Sequence, residues 1–323
     1  VTGIATALAA LAAIAVVGWV LGRYRLLGEN AAPVLARVTF TVAIPALLVV
    51  TVAHADLHLL FSRVAVVTAG ATTVVVVVAV VVLRGLWRLP VGEAVVATLA
   101  ASYLNAAHLG IPIAVYLVGD PVAVVPTLLF QQLVLGPIAF ALLDRAPVSA
   151  PVGPGAGIAD DAAPPAHGVR VSAVLGRTVR NPVIVASLTG LLLAALPWDL
   201  PDVVFEPFRV LGAAAAPMAL VAFGMSLAIG RPEHQPWFSR ELGLVAVLRA
   251  VAHPSLAYAL GRALGLEGTE LLAVVTMASL PTAQNVLVYA LQYGRGQALA
   301  RDAGVVTTLL AIPVLVLVAA TLA

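Results

Sequence analysis

The sequence predicts an all-α integral membrane protein of about ten transmembrane helices, laid out as two inverted five-helix repeats with broken fourth and ninth helices. Three observations carry this. Of 323 residues, 62% are hydrophobic and only 10% charged. Soluble domains keep roughly a quarter of their residues charged, so most of this surface must face lipid. About ten apolar runs approach the roughly 20 residues that a helix needs to cross a bilayer core of about 30 Å, and arginine, acidic residues, proline or glycine bound them. The runs also fall five and five around a proline- and glycine-rich segment, and an odd number of crossings reverses the second set relative to the first.

The first run, 3–22, has no basic region before it and no small-residue cleavage site after it. It reads as a spanning helix and not as a removable leader. Runs at 33–53, 64–83, 94–118 and 122–143 complete the first repeat, residues 1–143. From Ala146 to Gly168 the sequence APVSAPVGPGAGIADDAAPPAHG lacks apolar periodicity, so 144–172 is expected to be a flexible linker. The second repeat, 173–323, holds runs at 181–197, 207–229, 241–264, 270–291 and 302–322.

Every basic residue is an arginine, and the arginines are lopsided. Connections after odd-numbered helices hold Arg23, Arg25, Arg37, Arg84, Arg88, Arg145, Arg170, Arg177, Arg180, Arg231, Arg240, Arg295 and Arg301. Those after even-numbered helices hold only Arg63, Arg209 and Arg262. Because cytoplasmic loops accumulate positive charge, the linker is expected in the cytoplasm and both termini outside, in a multi-pass protein of the cell membrane. A net charge of +2 with no basic–aromatic cluster argues against a nucleic-acid partner. With no cysteine, thiolate chemistry and disulfides are excluded.

Two runs depart from the plain lipid pattern at matching places in the two halves. The fourth, YLNAAHLGIPIAVYLVG, puts Asn105, His108, Gly110 and Pro112 in mid-membrane; the ninth, ASLPTAQNVLVYALQYG, puts Pro281, Thr282, Gln284 and Asn285 at a similar depth. Proline removes an amide donor and clashes with the preceding turn, and glycine loosens the backbone, so both helices should break. Freed backbone groups survive in hydrocarbon only where protein or a wet cavity surrounds them. The breaks therefore mark a cavity, and their half-helix N-termini suit an anionic ligand. Asn105 and Asn285 can donate to a carboxylate without burying a charge. The plainer reading is that these residues only shape helix packing.

Gln131, beside Gln132 in LLFQQLVLGP, either lines the same cavity or bonds between helices. Arg249 and His253 fall in the eighth run, where an ionisable residue is a functional candidate by default, unless Arg249 snorkels at a boundary. His54, Asp56 and His58 have metal-like spacing but read as solvated loop residues. No P-loop, HExxH, G-x-S-x-G or acidic pair is present, so no enzyme and no ATP-driven pump is expected.

At these residues the chain resembles the auxin efflux carrier family, which includes bacterial permeases and the plant PIN-type carriers. The resemblance runs nearly end to end. Asn105, Gly110 and Pro112 match the family's fourth helix; Asn181 and Pro182 the sixth; Pro217 and Gly224 the seventh; Pro281, Ala283, Asn285, Tyr293 and Gly294 the ninth. His108 departs from it, where the family commonly has an aromatic. The resemblance implies a small organic anion moved by alternating access, with the fourth and ninth helices crossing beside it. A channel or membrane-embedded sensor is the alternative. No cofactor or metal is expected; coupling to a proton or sodium is open, as are the direction of transport and a homodimer.

Overall fold

The computed structural model describes residues 2–28, 30–54, 62–145, 181–195, 201–228 and 238–322. The expected linker lies, apart from its first two residues, outside the described residues, as do Asp56 and His58; of the side chains of 2–11, 108, 112 and 121 nothing is described. Every regular element among the described residues is helical, apart from one isolated backbone bridge between Leu104 and Thr282.

Each predicted run is helical over its described residues, the fourth and ninth as two segments. We label them α1 (Thr2–Arg23), α2 (Ala31–Ala53), α3 (Arg63–Leu86), α4a (Val91–Ser102), α4b (106–118), α5 (Val122–Arg145), α6 (Pro182–Ala195), α7 (Asp202–Ala228), α8 (Arg240–Ala263), α9a (Gly268–Ala278), α9b (Asn285–Tyr293) and α10 (Gln297–Leu322). Six helices among the described residues, α2, α3, α5, α7, α8 and α10, are long and apolar enough to cross a membrane; shorter apolar helices account for the rest. Val77, Leu192, Val210 and Leu317 are more than half exposed. Water would penalise such apolar outer faces, and acyl chains do not.

α7 starts earlier than the sequence reading placed it, at Asp202 and not 207. Its first turns carry Asp202, Glu206 and Arg209, which hydropathy reads as loop. Arg209 pairs with Asp202 at 2.6 Å and Glu206 at 3.5 Å along one helix face, so the charges sit comfortably in a helical turn.

π-helical turns interrupt α2 at Thr39–Ala43, α5 at Gln131–Leu135 and α8 at Leu248–Ala252. Each is followed, two residues on, by a proline: Pro45, Pro137 and Pro254. A proline leaves the carbonyl four residues back without its amide partner, and widening the preceding turn accommodates the defect.

The helices pack in two groups that cut across the repeats. α1 lies along α7, and α2 packs on α6 and α7; the last three helices of each repeat, α3–α5 and α8–α10, pack on one another. Glycines allow the tightest approach in the first group. A Cβ on Gly224 would fall inside the carbonyl oxygen of Ala15 and 2.7 Å from the amide of Trp19, and one on Gly18 would strike the carbonyl of Val221. Close approach through small residues is the usual way membrane helices gain dispersion contact without a hydrophobic drive.

Candidate functional site

The two interrupted helices break as predicted, and the broken segments meet. α4a ends at Ser102; Tyr103 is extended, Leu104 is the bridge residue, and the chain turns tightly at Asn105 (φ −75°, ψ 52°) before α4b begins. α9a ends at Ala278, and the chain does not resume a helix until Asn285. The segments pair antiparallel at Leu104 and Thr282. The Asn105 amide donates to the Pro281 carbonyl at 2.9 Å, and the Ala283 amide donates to the Tyr103 carbonyl at 3.0 Å. Backbone groups freed by each break are thus used by the other, which meets the demand that lipid places on irregular backbone.

Side chains complete the pairing. Gln131 of α5 clasps Leu104 with both ends of its carboxamide: its Oε1 accepts from the Leu104 amide, and its Nε2 donates to the Leu104 carbonyl at 3.2 Å. The Thr282 hydroxyl donates to the Ala100 carbonyl at 2.6 Å, and the Thr282 amide donates to Thr307 Oγ of α10 at 3.0 Å. The Tyr103 hydroxyl donates to Gln132 Oε1 at 3.2 Å. Gln131 and Thr282 therefore spend their polar groups on the backbone of the break; for Gln131 this is the bonding between helices that the sequence left as one of two alternatives.

Asn105, Gln284 and Asn285 are all buried at the crossing. Asn105 Nδ2 donates to Gln284 Oε1 at 2.7 Å, while Asn285 Oδ1 is buried with no hydrogen-bond partner. An unmade bond on a buried carboxamide is costly to keep, so this acceptor calls for a donor such as a water. Gly110 sits where a Cβ would come within 2.7 Å of Val124 and 3.2 Å of Leu280, so its lack of a side chain lets α4b lie close to the crossing. His108 lies in the π-helical turn Ala106–Gly110, and Pro112 in the turn after it. Gly119 and Gly294, with φ of +81° and +66°, stop α4b and α9b in the left-handed conformation that glycine adopts freely.

A cavity of about 10 Å³ lies between Tyr103, Asn105, Gln131, Gln132, Gln284 and Asn285. That is room for about one water molecule, so the crossing is closed around its polar groups in this conformation. On the other side of Gln284, an apolar cavity of about 380 Å³ runs between α1, α7 and α10, lined by Trp19, Leu220, Phe223 and Leu309 among others. Gln284 is the residue common to the two.

A second polar cluster was not foreseen as a unit. At the arginine-rich end, the Tyr293 hydroxyl donates to Asp144 Oδ1 at 2.9 Å, and Asn181 Nδ2 lies 3.3 Å from Asp144 Oδ2 and 3.0 Å from the Tyr293 oxygen. It joins α5, α9b and the start of α6. Between it and the crossing stands an aromatic group of Phe40, Phe140 and Tyr289, with Tyr289 in edge contact with Phe140 at 4.8 Å and with Tyr103 at 6.0 Å. Asn181 and Tyr293 were visible as motif residues; Asp144 was not, since a carboxylate at a helix end reads as an ordinary boundary. His54 Nδ1 donates to the Val50 carbonyl at 2.8 Å, and the ring packs against Phe205. No metal-ligand cluster occurs among the described residues.

A bundle of apolar helices whose two interrupted members pair by backbone at a buried polar pocket defines a multi-pass membrane transport protein. The model of the membrane transport protein family matches residues 3–144 and 163–319, so the chain belongs to that family, which is that of the auxin efflux carriers. It is similar to a protein of Rhizobium meliloti (strain 1021) described as a "Putative malonate transporter", with 29% identity over 276 residues, covering 84% of this chain and 80% of that protein.

Proposed function

We propose that the chain carries a small organic anion, with a short dicarboxylate such as malonate the first candidate, across the cell membrane by alternating access at the crossing of α4 and α9. The observation that carries this reading is the group of three buried carboxamides, Asn105, Gln284 and Asn285, in a pocket between two mutually paired helix breaks, because carboxamide nitrogens are the donors a carboxylate needs. The unpartnered Asn285 oxygen is an acceptor and suits a water or a coupling cation. Carboxamides and half-helix N-termini can hold a carboxylate with directed bonds at lower desolvation cost than a buried cation. The relative's description supplies the substrate class to test first.

The topology proposed is ten spans in two inverted repeats, 1–143 and 173–323, joined by a cytoplasmic linker, with both termini outside. Cutting the helices into α1, α2, α6 and α7 on one side and α3–α5 with α8–α10 on the other offers two bodies that can shift against each other. A cavity of about 10 Å³ is too small for malonate, so substrate entry requires that shift. Such motion opens the pocket to one face at a time and distinguishes a carrier from a pore.

The test is uptake of labelled malonate into proteoliposomes of the purified protein, with and without internal malonate, and with Asn105→Ala and Asn285→Ala. Saturable uptake stimulated by exchange, and lost in both variants with folding intact, is the expected result. Absence of uptake or exchange for a panel of short mono- and dicarboxylates overturns the reading; uptake unchanged in both variants moves the site away from the crossing.

A further inference from the structure

Arg249 lies inside α8, in the π-helical turn Leu248–Ala252, and is 2% exposed. It points into protein and does not snorkel to a boundary, which settles the alternative that the sequence left open. One edge of its guanidinium is spoken for. Nη1 lies 3.1 Å from Nδ1 of His253, one turn on, and Nε2 of His253 lies 3.2 Å from the hydroxyl of Thr72 in α3. That hydroxyl donates to the Thr68 carbonyl at 2.8 Å, so toward His253 it accepts. His253 must then carry its proton on Nε2 and accept from Arg249 on Nδ1, which makes it a neutral ring that brings no countercharge.

The other edge is free. Arg249 Nε and Nη2 are buried and have no hydrogen-bond partner. These two nitrogens share one side of the guanidinium plane, and their N–H bonds run parallel in the fork that clasps a carboxylate. No carboxylate pairs with Arg249 among the described residues. A guanidinium holds its proton at neutral pH, so an uncompensated charge is here sealed in a low-dielectric interior, the most unfavourable place for it. Thr98 of α4a and Thr276 of α9a, on helices that pack against α8, also bury hydroxyls without partners. Arg249 does not line the pocket at the crossing.

We propose that the free Nε–Nη2 edge of Arg249 is an anion-binding position, separate from the crossing, that holds a compact monovalent anionic group: a carboxylate or a halide ion. The occupant neutralises the buried charge and fills both open donors. The position stands on Arg249 and its surroundings alone, whatever the crossing proves to bind.

The test is thermal unfolding of the full chain in detergent, in a buffer whose only anion is bulky HEPES, against added chloride, acetate or malonate. At a hundredfold excess over Kd, a ligand of the folded state should raise the melting temperature by about 5 °C. With the crossing disabled by Asn105→Ala, the rise should vanish on adding Arg249→Met, which keeps the volume and removes the charge, and Arg249→Met alone should melt no lower than the wild type in HEPES alone. A rise with chloride identifies a halide co-ion, and a rise with the carboxylates alone identifies a carboxylate; either supports the assignment when it is lost in Arg249→Met. A chloride response that survives Asn105→Ala while the malonate response is lost separates this position from the crossing. The proposal is overturned if no anion raises the midpoint of the Asn105→Ala chain, in which the crossing is disabled, or if the rise in that background persists when Arg249→Met is added. Should that variant not fold, bromide and bromoacetate soaked separately into wild-type crystals decide: an anomalous peak against the guanidinium with either supports the site, and its absence with both overturns it.

Discussion

Replacing Gln131 by leucine removes both bonds by which α5 holds Leu104, at nearly constant volume. Leu104 is 2% exposed, and its amide has Gln131 as its hydrogen-bond partner; its carbonyl also accepts from the Ala106 amide at 2.7 Å. The substitution thus strands one buried donor, at about 1–3 kcal/mol, and takes one of two bonds from an acceptor, at about 1 kcal/mol. The sum is about 2–4 kcal/mol, which at roughly 2–4 °C per kcal/mol lowers the melting midpoint by about 4–16 °C. Leucine, unlike alanine, leaves no added space in the cavity of about 10 Å³ for a water to replace the lost carboxamide. The assay is tryptophan-detected unfolding of purified protein in one detergent, with Gln297→Leu, on the partly exposed first turn of α10, as control. A midpoint within about 1 °C of wild type would refute the argument that Gln131 secures the helix break.

Gly224→Val should drive α7 away from α1, because even a Cβ meets the Ala15 carbonyl; the expected outcome is loss of the monodisperse peak in size-exclusion chromatography, with Gly85→Ala, where nothing lies near, unaffected. Tyr293→Phe deletes the hydroxyl shared by Asp144 and Asn181 and should lower the melting midpoint by about 1–6 °C for a loss of about 0.5–1.5 kcal/mol. Asp144→Asn should cost less than Asp144→Ala, since an amide oxygen still accepts from Tyr293; equal midpoints in the two would show that the carboxylate charge, and not the hydrogen bond, matters there. Thr282→Val strips the hydroxyl from the Ala100 carbonyl without changing shape, and should destabilise by about 1 kcal/mol, read as a fall of about 2–4 °C.

Much of the fold was legible because membrane helices announce themselves by length and hydropathy, and a proline or glycine in mid-span announces a break. Asn105, Gln284 and Asn285 could be singled out because polar side chains at that depth need a reason. What remained hidden was the partner of each. Thr282 bonds Ala100, 182 residues away, and Asn105 bonds Gln284, 179 away; no local pattern encodes such pairings. Gln131 reads the same in sequence whether it faces a ligand or a backbone. Asp144 gained meaning only when Tyr293 and Asn181 converged on it. The early turns of α7 escaped because their stability comes from paired charges, which a hydropathy scale counts against a span.

The two main-chain bonds between Tyr103–Asn105 and Pro281–Ala283 also bear on how the protein is made. When the first five helices have left the ribosome, the strand edge at Leu104 has no mate, because that mate lies in chain still to be synthesised. The early half must therefore wait in the bilayer with the Asn105 amide and the Tyr103 carbonyl unpaired, its break held by Gln131 and Gln132, until the late half docks. Halves expressed as two separate polypeptides should each be short-lived and should survive only together.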